Sequence, residues 1–204
     1  MYIPSSFQEL NADRIDALVR DHDFASLISV SGDVPVVTQV PLLWDRATMT
    51  LSGHLASVNP HAALLLEGTK VMAVFHGPHG YVSPTWYKDE NPAVPNVPTW
   101  NYATVHMHGR VRRIDDAEGK FALVQALTRA YEGDHTDSWR PAPAAGSEVR
   151  MRAIVGFRIA VEQIEAKFKL SQNRSAADRA SVIASLEERG GDHDRAMADW
   201  MRKV

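Results

Sequence analysis

Apolar and polar positions along the chain change period several times, and each change marks an element. Residues 11–20 place Ile15, Leu18 and Val19 on one side and charges on the other, which predicts a helix capped by Asn11 or Asp13. Residues 25–31 alternate towards Gly32-Asp33, and the β-branched residues 34–43 follow, so the two runs predict a hairpin. A third strand is predicted over 49–54. Asn59-Pro60 is a helix entry, with Asn as cap and Pro in the first turn, leading into a short helix over 61–66. Strands are predicted over 70–76 and 104–114. Phe121, Val124, Leu127 and Tyr131 give residues 116–132 helical spacing. Residues 150–164 form a last strand or strand pair after a proline-rich surface connection at 140–143. The polar stretch 176–201 is helical and broken at Gly190-Gly191. Short sequential strands with hairpin signals and few crossover helices predict a mainly β chain, an antiparallel barrel with peripheral helices. A doubly wound parallel sheet would need regular alternation and a glycine-rich strand-to-helix turn, and neither is present.

Composition narrows the class. The chain has 204 residues, 45% of them hydrophobic, enough for one domain with its own core. A net charge of −3 gives no global pull towards nucleic acid or anionic membrane. Without cysteine there is no disulfide, thiolate nucleophile or Cys-ligated zinc. No signal peptide and no membrane-spanning apolar run are visible, so a soluble cytoplasmic protein is expected.

Two segments stand apart from ordinary core and loop. One is the aromatic, proline and histidine run 75–86, resumed at Val97-Pro98-Thr99-Trp100-Asn101-Tyr102; the other is Lys167-Phe168-Lys169-Leu170-Ser171-Gln172-Asn173-Arg174. Trp86, Trp100 and, more loosely, Trp139 accompany them. A flat aromatic ligand with an anionic tail would use both, the rings as walls and the cations and amides as a cradle. Ser57, Asn59 and the amides opening the helix at Pro60 add anion donors. The plainer alternatives are a capped helix, a solvated basic loop and, for Tyr81 to Tyr87, a subunit interface.

Other chemistries have less to stand on. His76 and His79 flank Gly77-Pro78, which is not helical, and His106 and His108 share one strand face without a neighbouring carboxylate, so hydrogen-bonded histidines explain them better than a metal. No GxSxG elbow supports a serine hydrolase. A helix-turn-helix would use residues 175–189 and 192–202, but the second segment sets Asp192, Asp194 and Asp199 against Arg195, Arg202 and Lys203, which is not the balance of a groove-reading helix.

Taken together, Met1-Tyr2-Ile3-Pro4 with Phe7, Gly53-His54-Leu55-Ala56 with Asn59-Pro60-His61, the run 75–87, residues 97–102 with Val105-His106, and residues 167–174 resemble the Pai-type FMN-binding negative transcriptional regulator family. The resemblance implies an antiparallel split β-barrel of the FMN-binding type over residues 1–170, followed by a C-terminal helical extension over 171–204. It implies a homodimer with FMN at the subunit interface. The function implied is negative transcriptional regulation or flavin-dependent sensing; the alternative is a flavin-dependent oxidoreductase using NAD(P)H. Cofactor-binding candidates are His54, Ser57, Asn59, His61, Trp100, Asn101, Lys169, Ser171, Gln172 and Arg174; no catalytic residue or metal ligand is assigned. Direct DNA contact is an open partner that the charge does not favour, and no membrane partner is expected. Three positions depart from the family pattern: Ser57 replaces a basic residue, Gln39 a histidine and Ala166 a glycine. The first weakens the phosphate cradle.

Overall fold

The computed structural model describes residues 1–89, 95–133 and 147–204; Trp139 and the connection at 140–143 lie outside them. A short 3₁₀ turn, Ser5–Phe7, precedes helix α1 (Ala12–Asp21). The Asn11 side chain accepts from the N–H groups of Asp13 and Arg14 at 3.0 and 3.1 Å, so Asn11 is the cap. Strands β1 (Phe24–Ser31) and β2 (Val34–Pro41) pair antiparallel from Phe24↔Pro41 to Ser31↔Val34. Gly32 turns the two-residue loop with φ 60°, a conformation open to glycine at little cost.

The third predicted strand is β4 (Thr50–Ala56), and it pairs with the short β3 (Leu43–Asp45), which no alternating pattern announced. Strand β5 (Lys70–Val82) continues past its expected end, through Gly77-Pro78-His79-Gly80. Pro78 lies outside the described β1–β5 register, which spans Met72–Val74, so its missing N–H costs that ladder nothing. Strand β6 (Thr99–Ile114) begins earlier than its pattern suggested. Residues 154–169 form one strand, β7 (Ile154–Lys169), not a pair. Helices α2 (Ala117–Glu132), α3 (Ser147–Arg152), α4 (Ala176–Arg189) and α5 (Asp192–Arg202) complete the described chain. Gly190, with φ 73°, makes the predicted break between α4 and α5.

The seven strands lie in the order β2-β1-β5-β6-β7-β4-β3. Among the described residues this hydrogen-bonded order does not return on itself, so the sheet is not closed. The protein is thus mainly β, an antiparallel split barrel with helices.

Two compact units are drawn from interleaved stretches. Unit 1 takes Met1–Asp21, His76–Val105 and Glu165–Val204; unit 2 takes His22–Phe75 and His106–Ile164. In unit 2 the α2 residues Leu123 and Leu127 bury against Ile114, with Leu43 packed beside them. Strands β6 and β7 approach so closely at Gly109 that a Cβ there would lie 2.2 Å from the Ala160 carbonyl oxygen. In unit 1, α4 and α5 bury Leu186, Met197 and Met201, and Trp200 meets Phe168 edge-on at 5.4 Å. No helix among the described residues is long and apolar enough to cross a membrane.

Candidate functional site

The candidates fall into two sets, one in each unit. In unit 2, β4 alternates: Leu51, Gly53 and Leu55 are buried, and His54 lies half-buried on the other face, opposite Gly156 of β7. Its Nδ1 is buried and has no hydrogen-bond partner among the described residues. Burial also holds the His54 pKa below the ordinary imidazole value. A neutral imidazole with an unused nitrogen is a group that a ligand can complete.

Beyond β4 the chain turns through Ser57, whose N–H donates to the Ala153 carbonyl at 2.8 Å and whose side chain is exposed. Asn59 caps the 3₁₀ turn Pro60–Leu64, its Oδ1 accepting from the His61 N–H at 2.9 Å. His61 is 1% exposed, and both ring nitrogens are occupied, Nε2 with Ser29 Oγ at 2.8 Å and Nδ1 with Thr38 Oγ1 at 2.9 Å. The ring therefore ties this turn to β1 and β2 and fixes where Ser57 and Asn59 stand. Gln39 is next to that anchor on β2, paired with Ser26.

Burial lowers the pKa of His61 as it does that of His54. The folded values lie below the unfolded one, about 6.5. Between them the unfolded chain binds protons that the folded chain does not, so stability is fully present above about pH 6.5 and is lost as the pH falls through the folded values. Urea denaturation at pH 7, 6 and 5 is expected to show this loss, with a slope of up to about 1.4 kcal/mol per pH unit for each histidine. His61→Asn should flatten the profile; an unchanged slope in that variant would contradict the assignment.

In unit 1 the basic run is the end of β7 and the bend beyond it. Phe168 and Leu170 point into the core, and Ser171 takes a left-handed φ of 63°. Asn101 is fully buried; its amide Nδ2 donates to Ser171 Oγ at 2.9 Å and lies 3.4 Å from Met201 Sδ. Gln172 folds back on the same strand end, Oε1 accepting from the Leu170 N–H at 2.7 Å and Nε2 donating to the Phe168 carbonyl. Asn101, Ser171 and Gln172 thus hold the bend, while the cations line it. Lys169 Nζ donates to Thr99 Oγ1 at 2.7 Å and to the Trp100 carbonyl at 2.6 Å. Arg174 Nη1 donates to Asn96 Oδ1 at 3.0 Å, with its guanidinium 4.1 Å from the Tyr87 ring centre. Burial, then the charges of Lys167 and Arg174, press the Lys169 pKa down.

Lys167, not among the candidates, stands two residues from Lys169 at the same end of β7. It is only 9% exposed, its ammonium 5.5 and 5.2 Å from the ring centres of Tyr2 and Tyr102. Its signal in the sequence was the two-residue spacing from Lys169, which on a strand puts both on one face. Among the described residues none of Lys167, Lys169 and Arg174 enters an ion pair, whereas Arg14, Arg110, Arg112, Arg113, Arg189, Arg195 and Arg202 do. Three half-buried positive charges without a carboxylate suit an anionic group. Trp100 is half exposed on β6 with its ring against His79 and Tyr81. Among the described residues no three His, Asp or Glu side chains gather as a metal set.

Unit 2 thus offers an imidazole with an unused nitrogen and unit 1 a cationic bend, within a mainly β antiparallel arrangement. The chain matches the family described as "Putative FMN-binding domain" over residues 1–163 and belongs to it. Its cofactor is accordingly FMN. It is 34% identical to the protease synthase and sporulation protein PAI 2 of Bacillus subtilis, over 98% of this chain and 96% of that one. An uncharacterized protein of Emericella nidulans is 27% identical over 100% of this chain and 97% of its own. Among solved structures, the FAD and haem binding protein of Mycobacterium smegmatis superposes with a TM-score of 0.64 at 16% identity, covering 90% of this chain and 80% of that one. The flavocytochrome Anf3 of Azotobacter vinelandii gives 0.62 at 15% identity, over 85% and 75%.

Proposed function

We propose that the protein is an FMN-dependent sensor that lowers transcription, working in the cytoplasm as a homodimer. The reading is carried by the near full-length similarity to a protein named for protease synthase and sporulation. FMN, when bound, supplies reversible electron uptake at its ring system. In unit 1, Lys169 and Arg174, with Lys167 on the same strand end, would hold an anionic group; in unit 2, Ser57 and Asn59 offer polar contacts and His54 its free nitrogen. His61, Asn101, Ser171 and Gln172 keep those groups in position.

Dimerisation is supported by the hairpin at the sheet edge, where Phe24, Val30 and Val34 are each more than 60% exposed and Val37 is 48% exposed. Regulation through the flavin is favoured over a groove-reading helix because the α5 cations are already neutralised. Arg195 pairs with Asp192 at 2.5 Å, and Arg202 pairs with Asp199 at 2.9 Å and with Glu187.

Titration with FMN, followed by fluorescence quenching, tests the reading. Arg174→Ala and Lys169→Ala are each expected to weaken binding about ten- to a hundredfold, the worth of a charge-assisted hydrogen bond. Wild-type affinity in both variants, or no binding by the parent, would remove the cationic bend from the site. The same sample decides the redox role. The fold shared with a flavocytochrome favours, as the second reading, an oxidoreductase fed by NAD(P)H. Under anaerobic NADPH the sensor keeps its yellow colour, and the oxidoreductase bleaches.

A further inference from the structure

In unit 1, side chains from β5, β6 and the α4–α5 junction surround a cavity of about 350 Å³ lined by His79, Tyr81, Trp100, Arg189, His193 and Asp194. His79 and Tyr81 are two residues apart on β5 and so share a face. The Trp100 ring centre is 6.1 Å from each, tilted at 35° to His79 and edge-on at 74° to Tyr81. His193, in the first turn of α5, lies 5.1 Å from His79. Four aromatic rings brought together by three separate stretches of chain therefore border one cleft. Trp100 stays 53% exposed on it.

The rim is held in place. Arg189 Nε donates to Asp194 Oδ2 at 2.7 Å and Nη2 to Oδ1 at 2.5 Å, while Nη2 also reaches the Tyr81 carbonyl at 3.2 Å. The guanidinium lies 5.0 Å from the Trp86 ring centre. This clamp joins the α4–α5 junction to the end of β5, and it sets the charge of Arg189 against that of Asp194, the one Arg and the one carboxylate among the described lining residues. What remains is an aromatic surface whose polar tips are two imidazoles, a phenol and an indole N–H.

We infer that this cleft is a binding site for a flat, neutral aromatic molecule that carries a carbonyl or carboxamide. Its size lies at the lower end of small-molecule pockets, which are mostly apolar with a few placed polar groups. Ring faces and edges favour a planar partner. The indole N–H and the imidazoles offer donors to a carbonyl oxygen. An anion is disfavoured because Arg189 is already committed to Asp194. The inference rests on these rings alone and does not depend on the flavin reading.

Benzamide is the probe, observed by saturation-transfer NMR with the full-length protein, and cyclohexanecarboxamide is the control that keeps the amide and loses the flat ring. Benzamide should bind and the control should not. His79→Ala and His193→Ala should each weaken benzamide about three- to tenfold, the worth of one aromatic contact. Both side chains are exposed, so the variants should keep the parent circular dichroism and FMN uptake. Absence of benzamide binding, equal binding of the control, or parental affinity in both variants would overturn the inference. Benzamide binding by protein that takes up no FMN would still support it.

Discussion

Gly109→Ala should lower the free energy of unfolding by about 3 kcal/mol, and Gly109→Val should yield no folded protein. The added Cβ would stand 2.2 Å from the Ala160 carbonyl oxygen, 2.7 Å from Ile159 Cγ2 and 2.9 Å from the Ala160 carbonyl carbon. Two of these atoms are backbone of β7, so no rotamer change relieves the clash and the β6–β7 ladder must open. Gly156 is the internal comparison: a Cβ there would meet the nearest Ile114 atom at 3.2 Å, which a small shift absorbs. Gly156→Ala should therefore cost about 1 kcal/mol or less. Urea midpoints of the three proteins check the order, and a parental midpoint for Gly109→Ala would refute the close approach. Against a total stability of about 5–15 kcal/mol for a domain, the larger penalty is a substantial fraction.

The second large effect is at Asp178, which is 2% exposed. Its Oδ1 accepts from the backbone N–H groups of Lys88 and Asp89 at 2.6 and 3.0 Å, far away in sequence. Its own N–H is satisfied by Ser175, the cap of α4, at 3.1 Å. Asp178→Ala strands two backbone donors that the carboxylate satisfied, and should cost about 3 kcal/mol. Asp178→Asn keeps an oxygen at that position and should cost about 1 kcal/mol. Hydrogen exchange supplies the local check: the amides of Lys88 and Asp89 should exchange much faster in Asp178→Ala. If they keep their protection, the tether is not what holds this segment.

Local chemistry written into neighbouring residues was readable in advance. Gly32-Asp33 made a turn because glycine accepts a positive φ, Asn59-Pro60 opened a helical turn with its side chain as cap, and Gly190 ended α4. The long strands were read short for equally local reasons. His76-Gly77-Pro78-His79-Gly80 carries no β-branched residue, yet it extends β5, because pairing with neighbours decides strand formation more than propensity does. Lys167 and Lys169 looked like a solvated loop, since charge masked the alternation with Phe168 and Leu170.

Of the candidate residues, types were legible in the sequence and hydrogen-bond partners were not. His61 and Asn101 carry ligand-like groups, but their hydrogen bonds are spent on Ser29, Thr38 and Ser171. Lys167 was passed over, because nothing local shows that the rings of Tyr2 and Tyr102 flank it. The aromatic cleft escaped for the same reason: positions 79, 100 and 193 meet only after folding.

The interleaving of the two units has a consequence for synthesis. Unit 2 has all its residues once the ribosome has passed position 164, whereas unit 1 still lacks β7's end, α4 and α5. Helix α1, with its buried Leu18 and Val19, belongs to unit 1, and residues 165–204 of that unit are translated only after unit 2 has all its residues. A nascent chain paused near position 164 would carry every residue of unit 2 and only part of unit 1, a form open to misassembly.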